Sequence, residues 1–196
     1  MTKINITYTL ILAILFHCSL FSQAKNEVEI RVTAAQFPDI ALTYLKGLPE
    51  NTKPIKLFKE TNNEKSSFEA KFKLRKKHYS IEFNKEGILE DIEIYIKKRH
   101  INKQTFHKID SYLTKNYSKY RFIKIQKQYR NTTNTNTFSV LNEAIKNTDV
   151  SNIFYETITE ITIEGKREIL EITFTKDGVF STSQPVNLES YEHVLY

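Results

Sequence analysis

The sequence predicts an α+β fold in which helices cover one face of an antiparallel sheet. Several consecutive runs alternate apolar with polar residues, and two stripes of apolar residues at helical spacing interrupt these runs. A Lys-acid-Gly turn also occurs twice, at residues 85–87 and 176–178. Each turn follows a strand-like run and precedes another apolar strand start, which is typical of a hairpin. We therefore expect two tandem related units, each a helix packed on an antiparallel β-meander.

The N-terminal segment has the features of a secretory signal peptide. Lys3 precedes an apolar stretch at residues 10–16, and Ser22 and Ala24 supply small residues near a cleavage site. The apolar stretch is far shorter than the roughly 20 residues needed to span a bilayer. We assign residues 1–24 to a signal peptide and expect an exported protein, either periplasmic or secreted. Cys18 leaves lipid attachment open as an alternative, although a bulky His17 precedes it.

The first unit is assigned to residues 25–100. A short strand is expected at residues 28–32, and a helix opens near Pro38, which suits a first helical turn. Four alternating runs follow, and they predict four strands with one apolar face. Their apolar positions are Ile55 and Leu57; Phe68, Ala70, Phe72 and Leu74; Tyr79, Ile81 and Phe83; and Ile92, Ile94 and Ile96.

The second unit is assigned to residues 101–196. A helix is expected over residues 101–117, with Asn102 as its N-cap. Residues 112–113 match 44–45, and residues 123–125 match 55–57 at the same spacing, so the repeat extends beyond the turns. The glycine turns lie further apart, which indicates a polar insertion around residues 131–155 containing a short helix at 140–146. We expect strands at 161–163 and 170–174, and residues 191–196 to dock on the core.

This order of signal peptide, helix, meander and Lys-acid-Gly turn resembles the exported beta-lactamase-inhibitor-like, PepSY-like proteins of Bacteroidetes-type bacteria. The similarity is carried by residues 37–38, 79–96, 101–128 and 161–180, and the insertion departs from the family pattern. The resemblance implies helix-plus-sheet units with an open sheet face, and a role in binding or inhibition rather than turnover.

The sequence contains no catalytic signature, so we expect that the protein is not an enzyme and uses no cofactor or metal. There is no Gly-x-Ser-x-Gly turn, and the four glycines are too scattered to cradle a phosphate. His100 and His107 would lie about 10 Å apart along one helix, too far to share a metal ion. After Ala24 the chain contains no cysteine, so it uses neither a disulfide nor a thiol.

Alternation places a second set of side chains on the sheet face opposite the helices. Aromatic residues alternate there with long charged ones, a mixture that fits protein recognition because aromatic anchors tend to carry interface energy. An ordinary solvated sheet remains the alternative. The candidate partner-binding residues are Phe58, Lys71, Lys73, Tyr95, Phe122, Lys124 and Glu171.

A second candidate surface, which we call the basic edge, combines a strand turn with a strand end. In an up-down-up meander both segments fall at the same edge of the sheet, where they could meet acidic protein, glycan or lipid phosphate. Lysines that merely keep an edge soluble are the alternative. The basic edge consists of Arg75, Lys76, Lys77, Lys97, Lys98 and Arg99.

The function expected from the sequence is that of an exported binding module with a protein or peptide partner in the cell envelope. It would act as an inhibitor or sensor through the open sheet face. The alternative is a structural or surface-associating envelope protein that binds anionic glycan or lipid through the basic edge. The formal net charge of +6 is compatible with both hypotheses and does not distinguish between them. We expect no nucleic-acid partner for an exported chain, and the sequence leaves the oligomeric state open.

Overall fold

The computed structural model describes residues 27–52, 54–62, 65–131, 137–148 and 152–187. Its centre is one nine-stranded antiparallel sheet in which every strand pairs with its neighbours in chain order. The predicted signal peptide and the C-terminal residues 191–196 lie outside the described residues. The strands are β1 (Glu27–Val32), β2 (Lys56–Asn62), β3 (Lys65–Leu74), β4 (Lys77–Asn84), β5 (Leu89–Tyr95), β6 (Lys119–Arg130), β7 (Ile153–Ile163), β8 (Lys166–Thr175) and β9 (Phe180–Pro185).

Three described helices interrupt the meander: α1 (Asp39–Leu45), α2 (Lys103–Asn116) and α3 (Thr137–Lys146). They follow β1, β5 and β6 respectively. Helix α2 begins where the sequence predicts, because the Asn102 side chain accepts a hydrogen bond from the Gln104 backbone N–H at 2.8 Å. Within the described ranges, no helix is both long and apolar enough to cross a bilayer.

The main core lies between these helices and one face of the sheet. Tyr44 of α1 meets Phe83 of β4 edge-on at 5.6 Å between ring centroids. Tyr112 of α2 meets Phe174 of β8 in the same way, also at 5.6 Å. Such edge-to-face contacts add to the apolar burial that holds each helix on the sheet.

The two glycine turns have the same backbone geometry and occupy similar places. Gly87 and Gly178 adopt φ values of 82° and 79°, and each lies against the first turns of a helix, α1 and α2 respectively. An added Cβ would lie 2.7 Å from Pro38 Cβ in the first case and 2.5 Å from the Thr105 carbonyl oxygen in the second. Both positions therefore require glycine for conformation and for space.

The α+β class is confirmed, with all strands joined in one sheet because β5 pairs directly with β6. The short helix expected in the insertion is present as α3. Strand β7, however, begins at Ile153, earlier than the expected strand at residues 161–163. Residues 132–136 and 149–151 of the insertion lie outside the described residues.

Candidate functional site

The candidate site is the sheet face opposite the helices, which we call the open face. Side chains alternate along each strand, so the positions between the core residues form cross-strand rows here. One row pairs Phe58 with Glu69, Glu69 with Glu82, and Glu82 with Asp91. The next pairs Lys71 with Ser80, and Ser80 with Glu93. The open face is therefore lined by charged and polar groups, several of them buried.

Lys71 of β3 is the centre of a partly buried charge network. Its ammonium Nζ lies 2.9 Å from Glu29 Oε2 and 2.9 Å from Glu69 Oε2, and it sits 5.1 Å from the centroid of the Phe58 ring. Ser80 Oγ donates a further hydrogen bond to Glu69 Oε1. One ammonium thus serves two carboxylates and fixes the side chains of three adjacent strands.

The pKa values in this network follow from burial and the shared cation. Burial acts to lower the pKa of Lys71, but the charges of Glu69 and Glu29 outweigh it and raise that pKa well above its ordinary value. Burial acts to raise the pKa of Glu69, and the Lys71 charge outweighs it, so the net shift is downward. Burial dominates for Glu29 and raises its pKa. Glu69 therefore holds the firmer negative charge of the two.

A carboxylate cluster lies next to this network, at Glu82, Asp91 and Glu93. Their carboxylate oxygens lie within 4.8 Å of one another. Gln126 Nε2 donates to Glu93 Oε2, and Gln128 Nε2 donates to Asp91 Oδ2 at 3.0 Å. Burial, followed by the charges of Asp91 and Glu93, raises the pKa of Glu82 well above its ordinary value. A proton held by Glu82 relieves the repulsion among the three groups.

Two sets of carboxylates offer the oxygen ligands that Ca²⁺ and Mg²⁺ prefer: the Glu82 cluster, and Glu29 with Glu60 and Glu69. In the second set Lys71 contacts two of the three side chains and supplies the positive charge that a cation would bring. In the first, amide groups of Gln126 and Gln128 donate hydrogen bonds to Glu93 and Asp91, and burial with the neighbouring charges raises the pKa of Glu82. Both sets thus already make contacts with cationic or hydrogen-bond-donating side chains of the protein.

A groove of about 1150 Å³ crosses β1 to β6 on the open face. Its rim carries Arg31, Lys56 and Lys73, which are exposed, and Lys124, which is half-buried. None of these four makes an ion pair with a carboxylate in the described part of the chain. Tyr95 of β5, with 44% of its surface exposed, lines the same groove. The groove thus presents cations and an aromatic ring outward, above the inner carboxylates Glu29, Glu69 and Glu93.

The structure brings five of the seven predicted partner-binding residues together in the groove: Phe58, Lys71, Lys73, Tyr95 and Lys124. Glu171 lies on the same face but outside the groove, on β8, where Gln184 Nε2 donates to its Oε1 at 2.7 Å. Arg31, Lys56 and the inner carboxylates join the groove although the site prediction omitted them. The sequence shows that these residues alternate with core residues, which assigns them to the open face. It does not show which residues lie beside them on the next strand, because that depends on the strand register.

The expected placement of Phe122 on the open face is wrong. The pairing of β6 with β7 shifts between Phe122 and Lys124, so Ile123 forms a bulge. Phe122 consequently packs on the helix side, 6.3 Å from Phe106 and 5.3 Å from Tyr120 between ring centroids. Ile123 instead lines the groove and packs against a small apolar cluster that contains Ile158.

The antiparallel topology sets the six residues of the basic edge at one end of strands β3 to β5. The β3–β4 turn contains Arg75 and Lys76, and the antiparallel register sets the end of β5 beside the start of β4. Lys98 lies over the Phe106 ring at 4.3 Å from its centroid. Lys73 and Tyr95 of the groove lie at this same end, so the basic edge adjoins the groove.

No family model and no curated protein matches the sequence. Solved structures do share its fold. A DUF2874 family protein from Bacteroides ovatus gives a TM-score of 0.51 at 7% identity, covering 76% of this chain and 87% of that one. A Bacteroides eggerthii protein described as a candidate periplasmic protein gives 0.53 at 10% identity, covering 81% and 94%. A BLIP-like protein from Bacteroides fragilis gives 0.49 at 9% identity, covering 76% and 86%.

The first two of these similarities establish the fold. At identities of 7% and 10%, they show the fold alone and assign no role to individual residues. In the described part of the chain, the open face is the surface on which aromatic, cationic and buried polar groups converge on one groove. The arrangement can hold a chain segment by charge, hydrogen bonding and aromatic contact.

Proposed function

We propose that the protein is an exported, non-enzymatic binding module that holds a protein partner in its open-face groove. The observation that carries this proposal is the exposed Tyr95 ring beside unpaired cations in a groove of about 1150 Å³. Aromatic residues in such settings are common interface anchors. The sequence resemblance to beta-lactamase-inhibitor-like and PepSY-like proteins supports a binding or inhibitory role. The periplasmic description of the Bacteroides eggerthii neighbour is consistent with export.

The test is affinity capture from the producer's envelope fraction with residues 25–196 as bait. The groove variant combines Phe58→Ala with Tyr95→Ala. Its control combines Ile40→Ala with Val179→Ala, which removes exposed apolar side chains from α1 and the β8–β9 turn. We expect a partner retained by the control and lost by the groove variant. A partner held equally by both variants would contradict the proposal.

The alternative function, binding of anionic glycan or lipid, is favoured by the basic edge. None of its six cations forms an ion pair with a described carboxylate. Attraction of this kind is screened by salt, whereas an aromatic-anchored protein interface is less sensitive. The test is binding to vesicles that contain phosphatidylglycerol. Binding of both the wild type and the groove variant at low salt, with release of both at high salt, would support this alternative.

We also infer that the chain consists of two related units, residues 25–100 and 101–196. The order of α1 followed by β2–β5 parallels α2 followed by β6–β9, with α3 inserted in the second unit. The matched Tyr44–Phe83 and Tyr112–Phe174 contacts support this inference. Circular dichroism of each unit expressed alone tests whether either folds independently; the single continuous sheet leads us to expect that neither does.

A further inference from the structure

The open-face groove is lined by charged side chains of both signs, and their arrangement bears on the kind of partner that the groove can bind. Its lining contains five Lys or Arg side chains and three Glu side chains. The two kinds of charge lie at different depths. Lys71 contacts both Glu29 and Glu69 within the groove, and Glu93 accepts a hydrogen bond from Gln126. A partner entering the groove would therefore meet the rim cations first.

We propose that the groove recognises an acidic protein segment, one that carries Asp or Glu side chains around an apolar or aromatic residue. This inference rests on the function proposed above and specifies its partner. Charge complementarity is the physical reason: Arg31, Lys56, Lys73 and Lys124 form no close ion pair with a carboxylate of the described residues, although the Lys124 charge is felt by Glu29. Opposite charges across an interface steer encounter and set specificity.

The positions of the cations favour several separated carboxylates over one phosphate group. Register places Lys73 opposite His78, and the next strand brings Tyr95 beside His78. Lys73 and Tyr95 are thus about 10 Å apart, two strand spacings. Burial, followed by the Lys73 charge, lowers the pKa of His78, which disfavours a further positive charge at this central position. Lys124 lies beyond Tyr95, two positions along β6 from its cross-strand neighbour Gln126.

The cations are consequently spread across the strands instead of converging on one point. Lys73 and Lys124 lie on either side of Tyr95, whereas Arg31 and Lys56 lie further away, on β1 and β2. Three of the four are lysines, which lack the planar fork with which arginine grips a phosphate. An extended acidic segment crossing the strands could set one carboxylate near Lys73 and another near Lys124. Its intervening apolar side chain would then contact Tyr95.

The test is selection from a phage-displayed library of random linear peptides on residues 25–196. The strongest selected peptide is then synthesised, and its Kd is measured by calorimetry. We expect enrichment of Asp and Glu around an apolar residue. Lys73→Glu with Lys124→Glu should weaken the Kd by roughly tenfold or more, since like charges then face each other. The milder pair Lys73→Gln with Lys124→Gln should weaken it less, and guards against misfolding of the reversed variant.

The matched control reverses two exposed cations of α2, Lys103→Glu and Lys115→Glu, which changes net charge equally on the helix side. Equal loss in this control would overturn the inference. Selection of peptides poor in Asp and Glu, whose binding is lost in Tyr95→Ala, would overturn the inference and leave the proposed function intact. Peptides insensitive to every groove variant would overturn both. Selective binding of sulfated dextran in place of acidic peptides, lost on reversal of Lys73 and Lys124, would instead assign the groove to glycans.

Discussion

Replacing Gly178 with alanine should be more destabilising than the same change at Gly165. Both glycines have positive φ, 79° and 80° respectively, so alanine pays a similar backbone cost at each. That cost is roughly 1–2 kcal/mol for a left-handed residue. At Gly165 an added Cβ has no heavy atom within 4 Å, so the backbone cost is the whole effect. Gly165→Ala therefore serves as the matched control.

At Gly178 the new Cβ would lie 2.5 Å from the Thr105 carbonyl oxygen and 3.1 Å from Lys108 Cβ. The carbonyl belongs to helix α2 and cannot rotate away as a side chain could. The turn must therefore move away from the helix, and overpacking of this kind costs about 1–3 kcal/mol more. The Thr105 hydroxyl also donates to the Lys176 carbonyl at 3.1 Å, a hydrogen bond that such a movement would lengthen.

The assay is urea unfolding of the wild type and three variants, followed by circular dichroism. We expect a loss of about 1–2 kcal/mol for Gly165→Ala, and of about 2–5 kcal/mol for Gly178→Ala. Gly87→Ala should resemble Gly178→Ala, because its Cβ would lie 2.7 Å from Pro38 Cβ and 3.2 Å from the Ala41 backbone nitrogen. Equal losses at Gly165 and Gly178 would refute the contact of turn and helix as the reason for glycine.

Three further changes test the charge network and a helix start. Lys71→Met should lower the free energy of unfolding by about 3–5 kcal/mol at neutral pH, because two carboxylates lose their cation. The double variant Lys71→Met with Glu69→Gln should recover part of that stability. Urea titrations measure both changes. The pKa of Glu82 in the folded protein lies above its ordinary value of 4.5. The contribution of Glu82 to the free energy of unfolding therefore falls as the pH rises from about 4.5 through the folded pKa. Glu82→Gln should therefore be more stable than wild type at pH 7 and equal to it below pH 4 in thermal melts; greater stability of the wild type at pH 7 would contradict this. Asn102→Ala should cost about 1 kcal/mol through loss of the N-cap, with Asn102→Asp as the conservative control.

The sequence predicts the sheet and the principal helix because both depend on local patterning. Alternation in residues 68–74 and 79–83 sets which side chains face the core, and the structure buries those of β4 as expected. Asn102 marks the start of α2 through a hydrogen bond to a residue two positions away. Such short-range relations can be read directly from the order of residues.

The errors arise where one residue changes the alternation or where the partner strand matters. The bulge at Ile123 adds a residue to β6 without a matching residue on β7, so Phe122 turns to the helix side. No glycine or proline at that point signals it. The cluster of Glu82, Asp91 and Glu93 depends on a register set by the β4–β5 turn and its own irregularity. Sequence patterning assigns these residues to a face, but leaves their neighbours undetermined.

The buried polar groups of the open face limit what can cover it. Glu69 and Gln126 are only 4% and 5% exposed, yet they lie on the face that carries no helix among the described residues. An apolar layer placed over them would remove their remaining water without supplying hydrogen bonds, which is costly for buried polar and charged groups. Stacking of a second sheet through ordinary apolar contact is therefore disfavoured. A partner that supplies carboxylates to the rim cations and polar groups to the inner rows meets no such penalty, so the face favours polar partners over apolar ones.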